Sequence, residues 1–184
     1  MIKKTLGFLL FIAIMTTTTT QAQVSITYSA HGTQHFTLTI PDDWRINVGK
    51  ETVVPNKRPE DERPPSRIIT AMPSDGTPLW VGMWVPADVK NFKEAKEYID
   101  SLGIELLTDV VIKDSKFETL NGMDVYYASG IGNKDDESMD FHAAFIQLTE
   151  ETVAIAIYIG PHETTISHGK ELSRMFQSLH AVKH

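Results

Sequence analysis

The chain has 184 residues, 17 basic and 24 acidic side chains, a net charge of −7 and no cysteine. The missing cysteine excludes disulfides, cysteine-ligated zinc, thiol nucleophiles and the acyl anchor of a bacterial lipoprotein. The acidic balance argues against nucleic acid and anionic membrane surfaces as partners.

At the N-terminus, Lys3 and Lys4 precede an apolar stretch from Leu6 to Met15, and the polar run Thr16 to Thr20 follows. These are the three parts of a secretory signal peptide. The apolar stretch falls well short of the roughly 20 residues that span a bilayer. Thr20-Gln21-Ala22 places small side chains where signal peptidase needs them, so cleavage is expected after Ala22. Residues 1–22 are thus read as a signal peptide and 23–184 as one domain. Losing Lys3 and Lys4 leaves 15 basic against 24 acidic residues, a net of about −9. The destination expected for it is the periplasm or the medium, with no stable membrane insertion after cleavage.

The domain opens with alternating β-rich segments, Val24 to Ser29 and Gln34 to Ile40, the second carrying Phe36, Leu38 and Ile40 on one face. Pro41-Asp42-Asp43 turns the chain, and Trp44, Ile46 and Val48 resume the alternation. From Gly49 to Arg67, four prolines mixed with charges predict a long loop. Two strands follow, Ile68 to Met72 and Leu79 to Val85, joined by a Pro- and Gly-rich turn.

A helix is predicted from Asn91, which forms a capping-box pattern with Glu94, to Gly103, with Phe92, Ala95, Ile99 and Leu102 as its apolar stripe. Next comes a meander, Val110 to Leu120, Met123 to Gly130, Met139 to Leu148 and Thr152 to Ile159. Asn121-Gly122 marks a tight hairpin, Glu150-Glu151 another, and Gly132 to Ser138 a longer acidic connection. Ala154 and Ala156 opposite Val153, Ile155 and Ile157 predict close packing on the small-residue face, as beneath a helix. A last helix spans about Thr165 to His180, striped by Leu172, Met175, Phe176 and Leu179. The fold class is therefore α+β, a mostly antiparallel β-sheet flanked by helices.

This pattern resembles the PsbP-like fold family, named for an extrinsic subunit of photosystem II and shared with a Ran-binding nuclear-transport factor and many small exported bacterial proteins. The resemblance rests on the strand Phe36 to Ile40 ending in Pro41-Asp42-Asp43-Trp44, on the Ala95 to Leu102 helix, on the meander, and on the closing helix with Phe176-Gln177-Ser178-Leu179. Asp43 stands where that family commonly has Gly. The resemblance implies an α/β/α sandwich and, usually, a non-enzymatic accessory or binding role. It carries over no functional residue.

Catalytic patterns are sparse. His31 and His35 sit in a β-rich region around Gly32, and His162-Glu163 is followed by His168 at i+6, which on a helix turns the two rings about 120° apart. Asp135, Asp136, Glu137 and Asp140 form an acidic group without the Gly and distal Glu of a calcium loop. Ser167 and Lys170 match Ser-x-x-Lys without its companion motifs. No nucleophile elbow, phosphate loop or dinucleotide fingerprint is present, and no cofactor or metal is expected.

Surface features remain. Trp80 and Trp84 share one face of a strand with Gly82 between them, either as a hollow for a ligand or as core beneath a helix. Tyr126 and Tyr127 point to opposite faces, so one is expected to be buried and the other displayed. Lys57, Arg58, Arg63 and Arg67 gather in the proline-rich segment as a candidate docking surface. The expectation is an exported, non-enzymatic binding or accessory protein of the cell envelope whose partner is an envelope protein or a small ligand. One alternative is a metal-dependent or hydrolytic enzyme that assembles His31, His35, His162 and His168. Another is a structural immunity or inhibitor protein.

Overall fold

The computed structural model of the chain describes residues 22–30, 32–49 and 67–183, and of 100–105 the backbone alone. The expected signal peptide up to Gln21, His31, and the basic residues Lys57, Arg58 and Arg63 lie outside the described residues.

Two antiparallel sheets and three helices make up the described domain. A three-stranded sheet joins β1 (Gln23–Ala30), β2 (Thr33–Pro41) and β10 (His180–Ala181) in the order β1-β2-β10. A seven-stranded sheet joins β3 (Trp44–Val48), β4 (Ile69–Pro73), β5 (Trp80–Trp84), β6 (Thr108–Leu120), β7 (Met123–Lys134), β8 (Glu137–Thr149) and β9 (Thr152–Gly160) in the order β3-β4-β5-β9-β8-β7-β6. The fold is α+β with mostly antiparallel sheet, as expected; the second, small sheet and the C-terminal strand that completes it were not foreseen.

Because directly paired residues share a face, the registers sort the large sheet into two sides. One side carries Trp84, Ile155, Phe145 and Tyr126, each paired to the next, and continues to Phe117 on β6. Helix α1 (Phe92–Leu106) lies on this side: Tyr98 meets Trp84 at 6.5 Å between ring centroids, and Phe92 meets Phe117 at 5.8 Å. Half of the capping box forms as read, with the Glu94 N–H donating to Asn91 Oδ1 at 3.0 Å; the return bond is displaced by one residue, the Glu94 carboxylate accepting from the Lys90 N–H at 2.8 Å. The helix runs past Gly103 to Leu106. A mid-helix glycine costs only about 1 kcal/mol, and the half-buried Leu106 with buried Leu107 behind it anchors the extra turn to the core.

The other side carries Trp44, Ala71, Met83, Ala154, Ala156 and Tyr158. It meets the small sheet and the C-terminal helices, so the alanines predicted to lie beneath a helix face a mixed layer. The predicted single helix is two, α2 (His162–Ser167) and α3 (Gly169–Gln177), broken at His168, whose backbone (φ −93°, ψ 6°) leaves the helical basin. Tyr28 ties the layers together. Fully buried, it donates from its hydroxyl to the Arg67 carbonyl at 2.7 Å and accepts from the Val85 N–H at 3.2 Å.

Turn chemistry sets the meander. Asn121 (φ 51°) and Gly122 (φ 81°) form the predicted hairpin with both central residues left-handed. Asp135 (φ 51°) and Asp136 (φ 66°) do the same, so the longer acidic connection is a two-residue turn and both strands extend to meet it. Aspartate tolerates this region better than most residues. Asn121 also donates through Nδ2 to the Gln177 and Leu179 carbonyls at 2.9 and 2.8 Å, clamping the hairpin to the end of α3. Asn121→Gly keeps the turn and removes the clamp, and is expected to cost about 1–2 kcal/mol in urea unfolding.

Candidate functional site

On the side facing α3, the projecting β6–β7–β8 part of the sheet leaves a groove of about 400 Å³. Its floor is Tyr127, Ser129, His142 and Tyr158, which share a face through the pairs Ser129 with His142 and His142 with Tyr158. One wall is α3, with Ser173, Phe176 and Gln177; the other is the outward row Asp114, Lys116 and Glu118 of β6. Alternation places every second residue of each strand here, and the Asn121 clamp fixes the hairpin end of β6 and β7 against the C-terminus of α3.

The aromatic side chains brace one another. The His142 ring stacks on Tyr158 at 4.5 Å and 17°, and Phe176 meets Tyr158 edge-on at 5.9 Å. Burial pushes the Tyr158 hydroxyl far above the usual phenol range, with nearby Asp140 adding to it. Burial likewise lifts Tyr127, helped by the charge of Glu118 and opposed by that of Lys116. Lys116 lies 2.6 Å from Glu118, whose hydrogen bond and charge raise the lysine, and 5.8 Å from the Tyr127 ring centroid.

His142 presents an edge to solvent, but one face of its ring is covered by Tyr158. Loss of water from that face lowers its pKa from 6.5, more than Asp140 raises it. A histidine whose folded pKa is depressed stabilises the fold fully above its unfolded pKa and loses that contribution as pH falls. Stability is therefore expected to decline as pH drops through 6.5, and His142→Gln is expected to flatten that slope in thermal melts taken across pH 5 to 8.

Beside the groove, His162 Nδ1 lies 2.6 Å from Asp140 Oδ2, and the Thr165 hydroxyl, 3.2 Å from the same oxygen, also lies 2.9 Å from the His162 carbonyl. This triangle looks like part of a hydrolase triad, yet its hydroxyl is engaged by Asp140 and by backbone, and no other described hydroxyl bonds the His162 ring. It ties α2 to the end of β8. Asp140 is thus separate from the acidic turn at Asp135 and Asp136 with which it was grouped.

The histidines of the enzyme alternative go to different places. His35 sits 6.0 Å from the Tyr28 ring, His162 bonds Asp140, and His168 bonds Glu171 at 2.8 Å with its ring edge-on to Trp44 at 6.0 Å. No group of three His, Asp or Glu side chains that could hold a metal ion occurs among the described residues.

Trp84 is 1% exposed and belongs to the core under α1, so it leaves the candidate ligand surface. No hollow separates the two indoles: Trp80 folds over Gly82, where an added Cβ would overlap its ring. Arg67, half-buried, gives its carbonyl to Tyr28, and its Nε is buried without a hydrogen-bond partner among the described residues. It is tied to Tyr28 where a freely displayed docking residue was expected. Tyr126 and Tyr127 do take opposite faces, and both are half-buried, Tyr126 in the aromatic row and Tyr127 in the groove.

The groove itself was not read from the sequence. A signal existed. A two-residue turn at Glu150-Glu151 pairs odd with even positions, yet Phe141, Ala143 and Phe145 must share a face with Ile155, Ile157 and Ile159. Only a bulge reconciles them, and it occurs between Gln147 and Thr149, setting His142 opposite Tyr158.

No family model and no curated protein matches the sequence. Among solved structures the chain is similar to the cyanobacterial PsbP (CyanoP) of Synechocystis sp. PCC 6803, with 9% identity, 96% of this chain and 99% of that one covered, and a TM-score of 0.58. It is also similar to LpqN of Mycobacterium tuberculosis, a protein involved in cell envelope biogenesis, with 14% identity, coverage of 88% and 91%, and a TM-score of 0.56. At these identities the likeness is one of fold.

Proposed function

We propose that this chain is an exported, non-enzymatic binding protein of the cell envelope that holds a polypeptide segment of a partner protein in the groove between α3 and β6. The observation that carries the reading is the lining. Three aromatic side chains, Tyr127, Tyr158 and Phe176, sit among hydroxyl, amide and imidazole groups beside a strand bearing both charge signs. Aromatic anchors with a polar rim are the composition of a protein interface. A lining of mixed sign suits neither phosphate-rich nor strongly cationic ligands. The export half of the reading draws support from the N-terminal pattern and from the envelope role of LpqN, whose fold is shared.

Export predicts that the mature protein begins at Gln23 and fractionates outside the cytoplasm, which intact-mass spectrometry of the fractionated protein measures. An intact N-terminus in the cytosolic fraction would overturn it. For the groove, affinity capture from envelope extract is compared between the native protein and Ser173→Arg, a substitution at an exposed position of α3 that fills the groove without touching the core. A partner protein retained by the first and lost by the second is expected. Equal retention would place the binding surface elsewhere.

A further inference from the structure

Strand β6 is the last strand of the seven-stranded sheet, and no described strand pairs with its outer side. A long free edge is a template for another strand unless charge or bulges blunt it. Bulges occur here, in one half only, while the other half carries Lys116 and Glu118, charges of opposite sign. Asp109 takes a positive φ of 51°, and register shifts fall between Thr108 and Val111 and between Ile112 and Asp114. From Asp114 to Leu120 the ladder is regular. At the centre of those seven residues stands Phe117, 69% exposed, the most exposed large apolar side chain among the described residues.

We propose that this edge is the interface of a twofold dimer, in which β6 pairs antiparallel with β6 of a second copy about an axis through Phe117. The stretch is self-complementary in that register. Lys116 faces Glu118 of the second copy and Glu118 faces its Lys116, Ser115 faces Thr119, and the two Phe117 rings lie side by side. The backbone agrees. The tight turn at Asn121-Gly122 makes Leu120 and Met123 a bonded pair, so by alternation Thr119, Phe117 and Ser115 turn their N–H and C=O groups outward. Those are the three residues that the axis matches with one another.

Registers shifted toward the bulged half fail. An axis through Lys116 opposes Asp114 to Glu118, and an axis between Asp114 and Ser115 opposes Lys113 to Lys116. An axis through Ser115 draws in the bulged residues. The other free edges offer no such code: β1 carries no charge, β3 only Arg45, and β10 has two residues.

Residues paired across the axis share a face, so the aromatic row Phe145–Tyr126–Phe117 continues into the row of the second copy beside α1. On the opposite face the two grooves lie next to each other, with Lys116 and Glu118 of both copies forming the ridge between them. The dimer stands on the strand alone and does not depend on what the grooves hold.

A seven-residue edge is a small interface, so a Kd of roughly micromolar order is expected. Light scattering coupled to size exclusion, on the purified protein over roughly 1 to 300 µM, is expected to show the mass rising from monomer to dimer. Phe117→Asp, Lys116→Glu and Glu118→Lys are each expected to weaken association by tenfold or more. Circular dichroism of each variant separates loss of pairing from loss of fold. The two charge variants mixed in equal amounts are expected to regain the dimer, because opposite charges again face each other at both positions; a folding defect would not be rescued in this way. A native protein that stays monomeric throughout, a dimer indifferent to Phe117→Asp, or a mixture that stays monomeric would each overturn the proposal.

Discussion

Trp84→Ala is expected to lower the unfolding free energy by about 3–5 kcal/mol, the range for truncating a large buried aromatic residue. Trp84 is 1% exposed, pairs with Ile155 on β9 and lies under Tyr98 of α1. The strands on either side are pinned by continuous ladders, and Trp80 is already folded over Gly82, so little can collapse into the space. A domain of this size has about 5–15 kcal/mol in all, so the loss would be plain in the urea midpoint. Trp84→Phe is expected to cost less than half as much. It keeps most of the packing, and the indole N–H it removes has no hydrogen-bond partner among the described residues. Equal losses for the two variants would show that the indole N–H is engaged and that its bond, not packing, is what Trp84 contributes.

The same residue shows what the sequence makes legible. Alternation in Trp80 to Trp84 identified a strand and put both indoles on one side, but alternation is silent on which layer covers that side, so core and ligand hollow stayed open together. The strand meander and the Asn121-Gly122 hairpin could be read because period and turn chemistry are local. Local rules also misled: prolonged acidity from Asp135 to Glu137 suggested a loose connection, whereas aspartate's tolerance of positive φ allows the tightest one. The second sheet was hidden for a different reason. Strand β10 is two residues long and exists only because β2, some 140 positions earlier, offers it an edge. The groove required three registers and a helix placement at once, and its central pair, His142 with Tyr158, rests on one bulged residue.

Once the partner is in hand, Phe176→Ala is expected to reduce its affinity by about 2 kcal/mol or more, near 30-fold. Phe176 is half-buried, faces Tyr158 edge-on, and stands where α3 meets the floor. An aromatic ring held this way loses little rotational freedom when it is covered, and for that reason such residues dominate interface energetics. Substituting Arg174, exposed on the same helix and absent from the groove lining, is expected to change affinity by less than about 0.5 kcal/mol, or twofold. Isothermal titration with the captured partner gives both numbers, and comparable losses at the two positions would remove the groove from the account.

Site-specific photo-crosslinking in living cells tests the central claim most directly. A benzophenone side chain replaces Ser173 in the groove wall or Arg174 beside it, both exposed on α3, and the cells are irradiated before fractionation. The account predicts an adduct with an envelope protein from position 173 and little or none from 174. Equal labelling from both positions, or labelling from 174 alone, would contradict it.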